Sequence, residues 1–231
     1  MISKTESPKP DQSILILGAG QLAQMLCDAG ARMNLACHVV FSSQQEPAVR
    51  VANRAYLASE WSYSQTAQDH ITTFESEFFP LEKLTCQRSG EIQPSREIMD
   101  LLRKKIGQKE ILSRLEIPTS NYQVLESSDF DLESMLRKNL SILKWDFGGY
   151  DGKGNLFLSE RTSREEIGEF FKGAKERNSL VFAEEKIPFV KELAVQGARN
   201  KNGEFCLYPV VESVQENGIC RIVKCSRSEQ N

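Results

Sequence analysis

A glycine-rich segment with lysines in and before it is the part of this sequence best suited to chemistry. Residues 147–155 read FGGYDGKGN, and Lys144 lies just before them in the apolar run SILKW. Glycines allow backbone amides to approach phosphate oxygens, and Lys153 adds a positive charge, although the Walker spacing is absent. Lys144 would be costly to bury without an anion, or it could be an edge lysine that reaches water. Together the two features favour a site for nucleotide phosphates.

A second glycine turn lies near the N-terminus. Residues 18–23 read GAGQLA, a G-x-G-x-x-A pattern in which the helix that follows offers free N–H groups to an anion. A nicotinamide-dependent oxidoreductase would also place an acidic residue after the second strand, but Phe41 is followed by Ser-Ser-Gln. This argues against that class. A ligand-binding turn and a turn that only packs a helix on a strand both stay open.

Carboxylates follow predicted strands at two places. Glu75 and Glu77 come just after a strand, at the edge of an open sheet where ligands usually bind. Glu184 and Glu185 end another apolar strand, and Glu192 begins the next. Such strand ends could offer backbone groups to an adenine edge and carboxylates to ribose hydroxyls. Each cluster could equally be a solvated loop or strand end.

The elements that must position the first glycine turn alternate along the chain. Apolar patterning predicts strands over 13–18, 36–41 and 71–74, and helices over 21–33 and 63–69. Strands that alternate with helices are typical of a parallel α/β sheet. We therefore predict such a sheet over roughly the first 90 residues.

The second half has shorter elements. We predict helices over 96–116, with a break at Gly107, and over 129–138 and 163–175, the last begun by a capping box of Ser163 and Glu166. Asn-Gly pairs at 202–203 and 217–218 predict hairpins. These patterns favour an α+β domain with antiparallel strands over 122–125, 140–145, 155–158, 180–185, 192–198, 205–212 and 219–224.

The composition excludes several function classes. The 231 residues are 40% apolar and 26% charged with a formal net charge of −3, and no segment is basic enough for nucleic acid or an anionic membrane. The longest apolar run, 14–17, is too short to cross a bilayer. The six cysteines form no C-x-x-C pair and the two histidines have no metal-ligand spacing, so we predict reduced thiols and no metal site. A disordered polar tail over 1–12, with no secretory signal, predicts a cytoplasmic protein.

The ordered motifs together resemble one family. ILGAGQLAQM, TFESE, KKIGQKEIL, LEIPTSNY, GGYDGKGN, EEKIPFVKELAVQGAR and YPVVESVQENGICR are similar to segments of the ATP-dependent 5-(carboxyamino)imidazole ribonucleotide synthases, ATP-grasp ligases of purine biosynthesis and ATPase subunits of phosphoribosylaminoimidazole carboxylase. The resemblance runs from Ile14 through nearly the whole chain. It implies a pre-ATP-grasp, Rossmann-like domain over 13–93 and an incomplete α+β ATP-grasp domain over 94–231.

The resemblance also implies an activity and a site. In such a ligase ATP phosphorylates bicarbonate, and carboxyphosphate, or the carbon dioxide released from it, carboxylates the exocyclic amine of 5-aminoimidazole ribonucleotide. Catalytic roles near the amine and bicarbonate fall to Tyr150, Asp151 and Lys153. Contacts to the ribonucleotide fall to Gly20, Gln21, Leu22 and Glu75. Contacts to ATP fall to Lys105, Lys144, Gly149, Tyr150, Asp151, Gly152, Lys153, Gly154, Asn155, Glu184, Glu185, Lys186, Ile187, Glu192 and Gln215.

The sequence also departs from the family pattern. Lys105 stands where the family usually has arginine, Trp145 and Asp146 replace a stretch that normally contains arginine, and Gln215 occupies the usual histidine position. The Mg²⁺ ligands of the family lie beyond the segment that matches 217–225. We therefore expect ATP and Mg²⁺ as cofactors, weak or no activity of this chain alone, and association with a second copy or a complementing chain. The alternative is a degenerate, non-catalytic ATP-binding or interaction protein.

Overall fold

The computed structural model of the chain describes residues 13–62, 70–84, 92–149, 154–200, 202–216 and 219–225, with the side chain of His70 left aside. The predicted tail over 1–12, the predicted helix over 63–69, the loop residues 150–153 and the Asn-Gly pair at 217–218 lie outside this part. The chain divides into two compact units, Met1–Gln108 and Lys109–Asn231. The domain boundary predicted at residue 93 stays a prediction.

The first unit is built on a parallel sheet of order β3-β2-β1-β4. Its elements are β1 (Ser13–Leu17), α1 (Gln21–Arg32), β2 (Ala36–Phe41), β3 (Arg54–Leu57) and β4 (His70–Phe74). The predicted parallel α/β architecture is confirmed. β3 was not predicted, because its four residues RAYL begin with two exposed positions and show no buried apolar run.

Both faces of this sheet are covered, which explains the uninterrupted apolar sequence of β1. Leu15 and Leu17 pack with Phe74 in one buried cluster. Ile16 packs on the opposite face with Ala23 of α1 in a second cluster. Parallel strands buried on both faces read as continuous hydrophobic runs rather than alternating ones.

The predicted helix over 96–116 is two helices. α2 (Arg96–Leu102) begins after Ser95, whose hydroxyl accepts the Ile98 N–H, and α3 (Lys105–Arg114) follows directly. The break therefore falls at 103–104, and its prediction at Gly107 was wrong. Gly107 instead lies inside α3, where an added Cβ would sit 2.8 Å from the Leu101 carbonyl oxygen. The glycine allows the close approach of the two helices at the turn.

The second unit contains an antiparallel sheet of order β5-β8-β6-β7. Its elements are β5 (Tyr122–Leu125), α4 (Leu132–Arg137), β6 (Ile142–Trp145), β7 (Asn155–Phe157), α5 (Arg164–Glu176) and β8 (Val181–Glu184). Its core includes Leu143 and Trp145 of β6, Ile167 of α5 and Val181 of β8. The predicted capping box is confirmed: Ser163 and Glu166 exchange side-chain and backbone hydrogen bonds at the start of α5.

Two of the last predicted strands are divided. The predicted strands over 192–198 and 205–212 each divide in two, giving β9 (Glu192–Ala194), β10 (Gly197–Arg199), β11 (Phe205–Leu207) and β12 (Val211–Glu216), followed by β13 (Ile219–Cys225). β9 pairs with β12 while β10 pairs with β11. Pro209, which has no N–H to donate in a strand ladder, lies between β11 and β12 and separates them. The hairpin predicted at Gly203 is confirmed, with φ of 88° at that glycine.

No helix in the described part of the chain is both long enough and apolar enough to span a membrane.

Candidate functional site

Lys144 and Glu184 form an ion pair on one face of the second unit's sheet. β6 alternates, so that Leu143 and Trp145 are buried and Ile142 and Lys144 share the other face. Glu184 of β8 pairs across the ladder with Ile142, which places its carboxylate diagonal to Lys144. Lys144 Nζ contacts Glu184 Oε2. The carboxylate therefore supplies the anionic partner that the sequence context of Lys144 calls for.

A second lysine, Lys109 of α3, holds the other oxygen of the same carboxylate. Lys109 Nζ lies 2.5 Å from Glu184 Oε1, and the Ser120 hydroxyl donates to that oxygen at 2.6 Å. The ammonium also donates to the oxygens of Thr119 and Ser120 at 2.9 to 3.2 Å, and lies 5.3 Å from the centre of the Tyr122 ring. We call Lys109, Ser120, Lys144 and Glu184 the lysine–glutamate cluster.

Sequence reasoning missed Lys109. The residue is buried, with 7% of its surface exposed, and it follows the buried Ile106 by three positions on α3. A lysine at apolar helical spacing was the one indication available, because its partner lies on a distant strand. Buried lysines are rare unless they are paired, so burial of this position implies a buried partner, although the sequence does not identify it.

Electrostatics keep the cluster charged. Burial raises the pKa of Glu184, but hydrogen bonds from Lys109, Lys144 and Ser120 outweigh it and hold this pKa below its usual range. Two ammonium groups and one carboxylate leave one net positive charge. Lys144 has 28% of its side chain exposed and Lys109 only 9%, so Lys144 is the cation that an anionic ligand can reach.

The described residues of the glycine-rich segment close a hairpin beside this cluster. Trp145 N–H donates to the Gly154 carbonyl at 2.9 Å, and Asn155 pairs with Lys144 in the ladder. Gly154 has φ of 83°, and an added Cβ would lie 2.8 Å from the Trp145 ring and 3.0 Å from Gly149 Cα. Glycine is thus required at the base of the hairpin. The predicted roles of Tyr150, Asp151, Gly152 and Lys153 concern residues outside the described part.

Trp145 and Asp146, which depart from the family pattern, are buried. The Trp145 indole N–H donates to the Phe170 carbonyl at 3.1 Å, and the Arg177 guanidinium lies 4.8 Å from the ring centre. Asp146 is 6% exposed, and its N–H donates to the Leu180 carbonyl. The tryptophan therefore anchors α5 on the face opposite Lys144.

The segment after β8 is fastened at two asparagines. Glu185 accepts the Asn121 side-chain amide at 2.7 Å, and its N–H donates to the Asn121 carbonyl at 2.9 Å. Lys186 and Asn139 exchange hydrogen bonds of 3.2 and 3.1 Å. Ile187 follows with nearly half of its surface exposed. Glu185 and Lys186 thus fix the path of the backbone, and Ile187 offers apolar surface.

Glu192 and Gln215 lie together on β9 and β12. The Gln215 amide donates to Glu192 Oε1 at 2.8 Å, and the Ser213 hydroxyl donates to the same oxygen at 2.5 Å. These two hydrogen bonds lower the pKa of Glu192. The structure therefore brings together two residues that the sequence assigned to one ligand. Lys105 is the first residue of α3 and falls in the first unit.

The predicted ribonucleotide residues lie at the glycine turn of the first unit. Gly20 N–H donates to Glu75 Oε2 at 2.8 Å, and Glu75 N–H donates to the Leu17 carbonyl at 3.0 Å. A Cβ on Gly18 or Gly20 would overlap the Glu75 carboxylate. Gln21 and Leu22 begin α1 and are exposed. The Gly20 N–H at the start of α1 thus binds a carboxylate of the chain itself, that of Glu75, and Gln21 and Leu22 are exposed beside it.

Comparison with known proteins defines the class. Residues 110–230 match the ATP-grasp domain, and residues 12–101 match the ribonucleotide synthetase preATP-grasp domain. The chain belongs to the ATP-grasp family. The fold class and family predicted from the sequence are confirmed.

The relatives point to one type of ATP-grasp protein. The chain is 30% identical over 221 residues to an N5-carboxyaminoimidazole ribonucleotide synthase of Synechococcus elongatus (93% of this chain, 55% of the relative) and 33% identical over 213 residues to that of Vibrio cholerae (89% and 55%). A solved carboxyaminoimidazole ribonucleotide synthase from Aspergillus clavatus complexed with ATP is 26% identical with a TM-score of 0.76, and the match covers 93% of this chain and 57% of that one. The chain spans about half the length of the curated relatives it matches.

Proposed function

We propose that the second unit binds ATP and that the chain takes part in the ATP-dependent carboxylation of 5-aminoimidazole ribonucleotide with bicarbonate, a step of de novo purine biosynthesis in the cytoplasm. The lysine–glutamate cluster carries the proposal, because it holds an accessible cation, Lys144, beside the base of the glycine hairpin. Phosphoryl transfer requires mainly positioning and neutralisation of phosphate charge. The names of the relatives supply the product, and the Aspergillus clavatus complex supplies the nucleotide.

Individual roles follow from this proposal. Lys144 and Lys105 would bind ATP phosphates, and the loop 149–155 would cover them with Tyr150, Asp151 and Lys153 at the reacting groups. Adenine and ribose would contact the strand ends that carry Glu184, Ile187 and Glu192, with Gln215 holding Glu192. The support for the last group is the hydrogen-bonded pair of Gln215 and Glu192.

The ribonucleotide would bind at the glycine turn of the first unit. There Gly20, Gln21, Leu22 and Glu75 lie around the start of α1, and the Gly20 N–H already binds a carboxylate. A ligand anion would find the same donor and the same helix terminus. The contact between Gly20 and Glu75 supports this assignment.

We propose that Mg²⁺ binds together with the ATP phosphates. Magnesium is usually bound through one or two carboxylates together with substrate phosphates. Within the described ranges, no three histidine, cysteine or acidic side chains are grouped as metal ligands.

We also propose that a second copy or a complementing chain covers the strands β9 to β13. Large apolar side chains are exposed on these strands and just before β9, with Leu193 63%, Val223 60% and Val190 96% exposed. Such a patch is typical of an interaction surface. Light scattering that showed a monomer at high concentration, without any complementing chain, would contradict self-association.

Calorimetry and a turnover assay test the function. We expect ATP to bind the wild-type chain. Lys144→Met should weaken ATP binding at least about tenfold, because it removes one charge-assisted contact to phosphate. Arg137→Met should leave ATP binding unchanged. Arg137 is a suitable control because it pairs with Glu133 on the exposed face of α4. Absence of ATP binding by the wild type would refute the proposal.

Turnover separates the enzyme from its alternative. ADP formation that requires 5-aminoimidazole ribonucleotide, measured with ATP, Mg²⁺ and bicarbonate, would support ligase activity. Binding of ATP without such turnover, by the chain alone and in its assembled form, would indicate a non-catalytic nucleotide-binding protein. The names of the relatives do not favour that alternative.

A further inference from the structure

One buried carboxylate in the second unit serves two lysines, one on each oxygen. Glu184 Oε1 accepts from Lys109 at 2.5 Å and from Ser120 at 2.6 Å, whereas Oε2 contacts Lys144 alone among the described residues. Lys144 is partly exposed and Lys109 is buried. The two lysines therefore have different access to a ligand although they share one counterion.

Lys109 has no donor to spare for a ligand. Its three N–H groups face four acceptors: Glu184 Oε1, Thr119 Oγ1, Ser120 Oγ and the Ser120 carbonyl oxygen. An ammonium group saturated in this way acts on its protein partners. Any influence of Lys109 on a bound nucleotide therefore passes through these protein partners, of which Glu184 is the charged one and also contacts Lys144.

An anion that binds Lys144 competes with Glu184 for this ammonium and weakens its pairing with the carboxylate. A buried carboxylate left without a cation is strongly unfavourable and takes up a proton instead. The titratable groups that face Glu184 are Lys109 from α3, Lys144 from β6 and Tyr122 from β5. Among these, Lys109 is the cation that remains when Lys144 turns away.

We propose that Lys109 is a positioning residue that keeps Glu184 ionised and in place when Lys144 leaves it for the phosphates of a bound nucleotide. This inference rests on the proposed binding of ATP to the second unit. It assigns the two lysines different tasks: Lys144 binds the ligand, and Lys109 compensates the carboxylate that Lys144 gives up.

The test is whether proton uptake accompanies nucleotide binding. Lys109→Met leaves Glu184 with Lys144 as its one lysine partner, so binding of ATP should draw a proton onto Glu184. Relative to wild type we expect uptake of up to about one additional proton, and an affinity that falls more steeply as pH rises, by up to about tenfold per pH unit. Calorimetry in buffers of different ionisation enthalpy measures the proton directly, and subtraction of the wild-type titration removes the protonation of ATP itself.

Two controls isolate the carboxylate. In a Glu184→Gln background, Lys109→Met should produce no additional proton uptake, because no carboxylate remains to be protonated. Arg137→Met, which breaks an exposed pair on α4, should match the wild type. A general loss of structure by Lys109→Met would lower affinity at all pH values without the proton signature.

The outcomes distinguish this inference from the proposed function. If the wild type does not bind ATP, the proposed function fails and this inference fails with it. If the wild type binds ATP and folded Lys109→Met takes up no additional proton, the role of Lys109 is refuted while the proposed function stands. If Lys109→Met does not fold, ¹³C NMR of the wild-type Glu184 carboxyl decides: the resonance should stay that of an ionised carboxylate with ATP bound, and protonation would overturn the inference.

Discussion

The contact between Glu75 and the glycine turn makes a sharp mutational prediction. A Cβ on Gly20 would overlap only the Glu75 carboxylate, and Gly20 has an ordinary φ of −75°. A Cβ on Gly18 would also lie 2.8 Å from the Glu75 Cβ, and Gly18 has φ of 121°. Removal of the Glu75 carboxylate should therefore rescue Gly20→Ala but not Gly18→Ala.

The magnitudes follow from the same contacts. Gly20→Ala displaces the carboxylate from the Gly20 N–H, and the loss of a hydrogen bond to a charged group costs about 1.5–3 kcal/mol. In a Glu75→Ala background the same change should be neutral or stabilise by up to about 1 kcal/mol, because alanine restricts the unfolded chain. Gly18→Ala should still cost about 1–3 kcal/mol there, since the strained backbone and the Cβ at position 75 remain.

Urea unfolding of the first unit measures these differences. The chain has two tryptophans, and Trp61 packs beside Phe79 in the first unit, so Trp145→Phe leaves a fluorescence reporter of that unit alone. A double-mutant cycle then gives the coupling between each glycine and Glu75. Equal rescue at Gly18 and Gly20, or no rescue at either, would refute the packing argument.

Three further predictions concern protonation and capping. Glu184→Gln should destabilise the second unit near neutral pH. The difference in urea midpoint between this variant and the wild type should shrink as pH falls below about 4.3, because a carboxyl group with a lowered pKa stabilises the folded state only while it is ionised. A difference that stays constant with pH would contradict the ion pairing. Ser163→Ala should cost about 1 kcal/mol in thermal or urea unfolding by removing the hydroxyl that caps α5, and Glu166→Gln should cost less because it can still accept the Ser163 N–H. Iodoacetamide at about pH 8 should not label Cys27 and Cys37 in the folded protein, since burial and the neighbouring Cys37 raise the pKa of Cys27 to about 12 and burial raises that of Cys37. The exposed thiols Cys206, Cys220 and Cys225 are the reference, and labelling of Cys27 or Cys37 as fast as these would contradict the prediction.

Features encoded by neighbouring residues were predictable from the sequence. The continuous apolar run of β1, the capping box at Ser163 and the Asn-Gly turn at Gly203 each depend on a few adjacent positions, and each is confirmed. The glycines at 18 and 20 were recognisable as a turn that either approaches an anion or packs a helix on a strand. The sequence did not show that the anion is the Glu75 carboxylate, because Glu75 lies 55 positions from Gly20.

Features that depend on distant partners were not predictable. The Ser120 hydroxyl meets Glu184 across 64 positions, and nothing near Lys109 in the sequence names its carboxylate. The division of 192–198 also depends on distant partners, since β9 pairs with β12 and β10 pairs with β11, whereas the division of 205–212 falls at Pro209, which the sequence shows. Local patterns predict an element, whereas its end is decided by the partner that it meets.

Two carboxylates that the sequence assigned to ligands are thus engaged by the chain itself. Glu75 accepts the Gly20 N–H, and Glu184 carries Lys109 and Lys144. An anion that binds Lys144 or the Gly20 N–H must therefore compete with a carboxylate that is already there. Such competition leaves no buried charge unpaired only if the displaced carboxylate keeps another partner, which Lys109 and Ser120 provide for Glu184. The affinity of Lys144 for an anion therefore depends on the difference in free energy between its pairing with Glu184 and its pairing with the anion. A substitution at Lys109 can change this affinity without any contact to the ligand.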